Sequence, residues 1–167
     1  MNRIYRQFTD RLFAITNPQT GKVYGYAFST WALIDTTSRQ PMDLAELPNG
    51  GFSSALIEKE IPIAGPGRIR LKNTENAVRT RQAYYTDLDI NGHVNSIRYI
   101  EMMLDLFPAK QFEASPVKRL EVAYSAEAYA DDLLQFYQEP SAKGDATLVE
   151  IRKEEGRIPV VKAAVTF

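Results

Sequence analysis

With 167 residues, 44% hydrophobic and 25% charged, the chain has the make-up of an ordinary globular protein, one domain or one domain and part of another; a small cross-linked scaffold and a disordered chain are excluded. A formal net charge of −1 supplies no global basic field, so nucleic acid is not an expected partner, and the lack of cysteine removes disulfides, thiolate metal sites and a thiol nucleophile. No stretch reaches the about eighteen consecutive apolar residues of a membrane span, and MNRIYRQFTDRLF lacks the apolar run of a signal peptide, so a cytoplasmic protein without a membrane partner is expected.

In chain order, residues 5–35 read as two aromatic and β-branched strands, QFTDRLFAIT and VYGYAFSTWALID, joined by NPQTGK, whose Asn17, Pro18 and Gly21 suit a hairpin loop. Trp31 is expected in packing rather than on a ligand. Residues 36–75 carry Pro41, Pro48, Gly50, Gly51, Pro62, Gly65, Pro66 and Gly67, too punctuated for long regular structure, with one short helical turn at MDLAEL. From residue 76 onward the order is one strand, the passage DLDINGHVN, a helix and four strands. The helix is marked by apolar residues at Val94, Ile97, Ile100, Leu104 and Phe107, widened by Met103 and ended by Pro108, with Arg98, Glu101 and Asp105 off the stripe. RLEVAYSAEAYA alternates, with Leu120, Val122, Tyr124, Ala126 and Ala128 on one side and Glu121, Ser125, Glu127 and Tyr129 on the other. LLQFYQ, ATLVEIRK and PVVKAAVTF follow, with turns at Lys143-Gly144-Asp145 and Glu155-Gly156. One helix wrapped by an antiparallel sheet is the simplest α+β arrangement of these elements.

The first six residues of DLDINGHVN fit a calcium loop, with acid or amide side chains at alternate positions and glycine sixth. Such a loop closes with a bidentate glutamate at its twelfth position, and the residue there is Arg98, a cation where the ion needs an anion. Proton transfer is the better reading. The passage precedes the N-terminal end of the helix, where backbone N–H groups lack internal partners and can polarise a carbonyl. Asp89, Asn91 and His93 follow one another at intervals of two, which in an extended segment points all three to one side, and Glu127 offers a second carboxylate. The bland alternatives are turn and cap formation by Asp89 and Asn91, a hydrogen-bonding role for His93, and a solvated Glu127.

YYTDLDINGHVNSIRYIEMMLD resembles the second hot-dog domain of the acyl-ACP thioesterases. The family's DxNxHVN signature is matched by Asp89, Asn91, His93, Val94 and Asn95, and LEVAYSAEA is similar to its LxxEYRxEC segment, which puts Glu127 on the family's functional glutamate and Ala128 where many members have cysteine. VYGYAFSTWALIDTTSRQPM is similar to the segment that closes the family's first hot-dog domain. The resemblance implies a hot-dog fold over residues 76–167, a partial first hot-dog domain over 1–40 and a linker over 41–75. The first domain's helix is missing from the match: either the chain is a fragment or another copy completes the fold, and a tandem or homodimeric arrangement is expected.

The implied activity is hydrolysis of a fatty acyl thioester on the phosphopantetheine arm of acyl carrier protein, with water as the nucleophile because Ala128 replaces the thiol. His93 and Glu127 are expected to hold and deprotonate the water, Asp89 to orient or activate it, and Asn91 to position water or substrate; backbone N–H groups near Val94 and Asn95 are expected to stabilise the oxyanion. No metal or organic cofactor is required. Arg68, Arg70, Lys72, Arg79 and Arg81 form a basic cluster on which an acidic carrier can dock, though a solvated charge run reads equally well. The alternatives are an acyl-CoA thioesterase of the wider hot-dog superfamily and a non-catalytic acyl- or carrier-binding module.

Overall fold

The structure, a computed structural model, describes residues 1–48, 52–57, 60 and 62–167; Gly50 and Gly51, counted above as chain punctuation, lie outside the described residues. The chain forms two compact units, Met1–Pro66 and Gly67–Phe167.

In the first unit β2 (Phe8–Thr16) and β3 (Val23–Ala32) pair antiparallel, with Asp10 opposite Thr30 and Leu12 opposite Phe28. The expected hairpin loop is present. Asn17 shapes it, its side-chain oxygen accepting the N–H groups of Gln19 and Thr20 at 2.8 and 3.1 Å. A third strand, β1 (Arg3–Tyr5), pairs with β2; three residues are too few to show a periodicity, so the sequence carries no sign of it. Asp43 caps the short 3₁₀ turn Leu44–Glu46 at MDLAEL through the Ala45 N–H. Trp31 departs from its expected place in the packing: it is 54% exposed, with its indole N–H on Ser29 Oγ and the Arg11 guanidinium over its ring.

The second unit is a five-stranded antiparallel sheet in the order β4-β6-β7-β8-β5, built from β4 (Arg79–Gln82), β5 (Arg119–Tyr124), β6 (Leu133–Pro140), β7 (Thr147–Lys153) and β8 (Ile158–Thr166). Alternation decides which side chains meet the helix: Phe136, Ile151 and Val161 lie side by side across three strands, all fully buried. The reverse face of the same strands carries Glu150 beside Lys162. Turns fall where glycine was read, with Gly144 and Gly156 both at positive φ.

Against the core face packs α1 (Ser96–Leu104), through Tyr99, Met102 and Met103. The buried stripe is therefore rotated from the expected one. Ile97 is 58% exposed, Ile100 and Leu104 flank the contact, and the helix stops at Leu104 rather than running to Pro108. Tyr99 and Met102, left out of the expected stripe, cover more of the sheet than Ile97 can, because long and flexible side chains fill the uneven gap between helix and pleat. Pro108 instead opens a second short helix, α2 (Ala109–Ala114), and Phe107 packs with Phe112 and Phe167. Among the described residues no helix is long and apolar enough to cross a membrane.

Candidate active site

The passage DLDINGHVN is not extended. Its ends are joined by a bridge between Leu88 and Val94, and between them the chain makes a tight turn in which Asp89 N–H donates to His93 O at 2.8 Å and Gly92 N–H to Asp89 O at 3.0 Å. Gly92 sits at φ +78°, so the glycine that mimicked position six of a calcium loop serves the turn. Asp89 Oδ1 accepts the N–H groups of Asn91 and His93 at 2.8 and 3.3 Å. The proposed alignment of Asp89, Asn91 and His93 on one side is lost, because the turn breaks the twofold alternation it required. Asn91 is exposed at the loop tip, held to Asp89 through its backbone N–H.

The turn is anchored from behind by Asp87. Its carboxylate receives the Arg81 guanidinium at 2.9 Å and the Tyr84 N–H at 2.8 Å, and its carbonyl accepts the Asn95 N–H. Burial raises the Asp87 pKa, but the Arg81 hydrogen bond, the Tyr84 N–H and the charges of Arg81 and Arg98 outweigh it and hold the carboxyl below the usual range. Arg98, which spoiled the calcium template, pairs with Glu101 at 2.7 Å. Asp87 and Asp89 thus turn to partners of their own rather than to a common centre.

Asn95 caps α1, its side-chain oxygen accepting the Ile97 N–H at 2.9 Å. The strand expected to carry Glu127 ends at Tyr124; the N–H groups of Ser125 and Ala126 both reach Val160 O, which breaks the pleat and releases the chain from the sheet. Glu127 therefore stands on a loop, stitched to the helix entrance by Val94 N–H donating to Ala128 O at 2.8 Å. There Glu127 Oε2 lies 3.4 Å from His93 Nε2.

These residues surround a cavity of about 210 Å³, lined by Asp89, His93, Val94, Asn95 and Glu127 together with Ser96, Tyr99, Tyr124 and Ala126. Five of the six residues singled out for chemistry or carbonyl binding in the sequence thus converge, and Asn91 does not. The backbone N–H groups expected to hold an oxyanion are already committed: that of Val94 to Ala128 O and that of Asn95 to Asp87 O. Folding consumes them because they tie the turn to its two neighbours. The Ser96 N–H, the first of α1, has no acceptor among the described residues. Burial pushes the Tyr99 hydroxyl well above the usual tyrosine range against the opposing backbone of Ala128, and its oxygen has no partner of hydrogen-bonding geometry among the described residues.

Two residues at the site went unread in the sequence. Ser96 was hidden by its plain helical surroundings. Tyr129, whose hydroxyl donates to Glu127 Oε2 at 3.3 Å, was visible only as the next residue on the polar side of an alternating segment. The basic cluster divides: Arg68, Arg70, Lys72 and Arg79 are exposed, while Arg81 is half-buried in its ion pair with Asp87.

An antiparallel sheet wrapped around one buried helix, with its polar groups gathered where the helix begins, is a hot-dog fold. The chain belongs to the acyl-ACP thioesterases, whose C-terminal domain model matches residues 71–167. It is similar over 99% of its length to the acyl-ACP thioesterase of Bacteroides thetaiotaomicron, with 41% identity and a TM-score of 0.86, covering 65% of that chain. The chloroplastic palmitoyl-acyl carrier protein thioesterase of Gossypium hirsutum is 24% identical over 75% of this chain, and the chloroplastic dodecanoyl-[acyl-carrier-protein] hydrolase of Cinnamomum camphora 25% over 74%. The chain spans about a third of the length of these two relatives, the matched parts being 31% and 33% of them.

Proposed function

We propose that the chain hydrolyses the thioester of a fatty acyl group on acyl carrier protein, with water as the nucleophile. The observation that carries the reading is the meeting of His93 Nε2 and Glu127 Oε2 beside a cavity at the entrance of α1. A water held between imidazole and carboxylate loses a proton to this pair as its oxygen attacks the thioester carbonyl. The resulting oxyanion is stabilised by the positive end of the helix and the Ser96 N–H. Collapse breaks the carbon–sulfur bond, and the departing thiolate takes back the proton, leaving a fatty acid and the free pantetheine thiol. Asp89 acts by fixing the His93 backbone through its Oδ1. Asn91, at the exposed tip, meets substrate entering from solvent. The remaining basic residues Arg68, Arg70, Lys72 and Arg79 receive the acidic carrier, and a second copy of the chain covers the exposed Phe13, Ile15 and Trp31 of the first unit.

The deciding experiment compares release of fatty acid from one acyl chain presented on carrier protein and on coenzyme A. Faster turnover of the carrier substrate is expected, abolished in His93→Ala. Preference for the coenzyme A substrate would move the chain to the other carrier, and tight binding without hydrolysis would make it a binding module.

A further inference from the structure

The geometry points to Tyr129 as a positioning residue that holds Glu127 against His93, an assignment that rests on the reading of these two as the reacting pair. Glu127 is carried on a loop beyond the end of β5 and its side chain is 44% exposed, so the direction of its carboxylate is set by side-chain contacts rather than by a strand. Tyr129 supplies two restraints at once. Its hydroxyl donates to Oε2, the oxygen that faces His93 Nε2, and its ring meets the imidazole edge to face, with centroids 5.1 Å apart at 86°. One aromatic side chain therefore touches both members of the pair.

Tyr129 is itself held. Its N–H donates to Asp132 Oδ2 at 3.0 Å and its carbonyl accepts the Asp132 N–H, so a small turn fixes its backbone. Lys153, at the end of β7, pairs with the same Asp132 oxygen at 3.5 Å and stands over the Tyr129 ring at 5.3 Å. The restraint thus runs from the sheet through Lys153 and Asp132 to Tyr129, and from Tyr129 to a glutamate that the sheet itself has released. A loop carboxylate gains in this way the fixed direction that a strand would have supplied.

His93 is the protein's only histidine, so its imidazole gives a single set of resonances in the intact chain. In the unaltered protein a nuclear Overhauser contact is expected between those protons and one tyrosine ring; its absence overturns the assignment. Glu127→Gln should displace the imidazole resonances, and the displacement should fall to less than about half in the Tyr129→Phe background, which keeps the ring and removes the hydroxyl. An equal displacement in both backgrounds, or none in either, overturns the proposal. In turnover, Tyr129→Phe should lower kcat about tenfold with KM nearly unchanged, and should add no further loss to Glu127→Gln. A chain that turns over no thioester refutes the hydrolase reading, while the spectroscopic comparison still decides the role of Tyr129.

Discussion

Arg81 closes on Asp87 at 2.9 Å, and through that carboxylate a strand of the sheet grips the loop that leads into the site. The carboxyl titrates below its ordinary range in the folded protein, whereas in the unfolded chain it returns to that range. Acid therefore adds a proton more readily to the unfolded state. The stability from this contact is complete above the unfolded value and is lost as pH falls through the lower folded value. Asp87→Asn should cost about 2 kcal/mol at neutral pH and flatten the acid limb, read from urea unfolding midpoints between pH 2 and 6. A variant with the parent's acid limb would show that the pair does not govern it.

Removing groups from the proposed reaction centre should separate chemistry from stability. His93→Ala and Glu127→Gln should each lower kcat by about a hundredfold or more with thermal midpoints close to the parent's. Asp89→Ala should lower both, because it removes the Oδ1 that accepts the Asn91 and His93 N–H groups and closes the turn. Full activity in all three variants would reject the site.

The basic segment makes a prediction about encounter. Arg68→Glu with Arg70→Glu should weaken carrier binding and flatten its dependence on salt, while leaving hydrolysis of a small thioester intact. Unchanged affinity at low and high salt would return these residues to ordinary surface.

Tyr99→Phe tests the buried hydroxyl on α1. An oxygen without a hydrogen-bond partner is costly to bury, so its removal should raise stability by about 1 kcal/mol, measured by chemical unfolding. A loss of similar size would mean that the hydroxyl has a partner in solution.

On the reverse face of the sheet, Glu150 is 1% exposed and pairs with Arg152 at 2.8 Å and Lys162 at 3.8 Å. Glu150→Ala strands two half-buried cations and should cost about 3 kcal/mol. Replacing Lys162 alone should cost less, since Arg152 remains; thermal unfolding of both variants gives the order.

What the sequence settled by itself was local. The 3.6-residue spacing after His93 marked a helix, twofold alternation marked the strands around it, and glycine and asparagine marked the turns, because each signal is written in neighbouring residues. The motif Asp89 to Asn95 and the distant Glu127 were legible as chemistry by their resemblance to a family. Their geometry was not. Whether the motif extended or turned, which helix face met the sheet, and where β5 let go of Glu127 depended on hydrogen bonds between segments far apart in the chain, and no local period encodes those. The same long-range bonds engaged the Val94 and Asn95 amides, left that of Ser96, and set Tyr129 against both His93 and Glu127. Residue types reveal which groups can move a proton; only packing decides which of them are held together to do so.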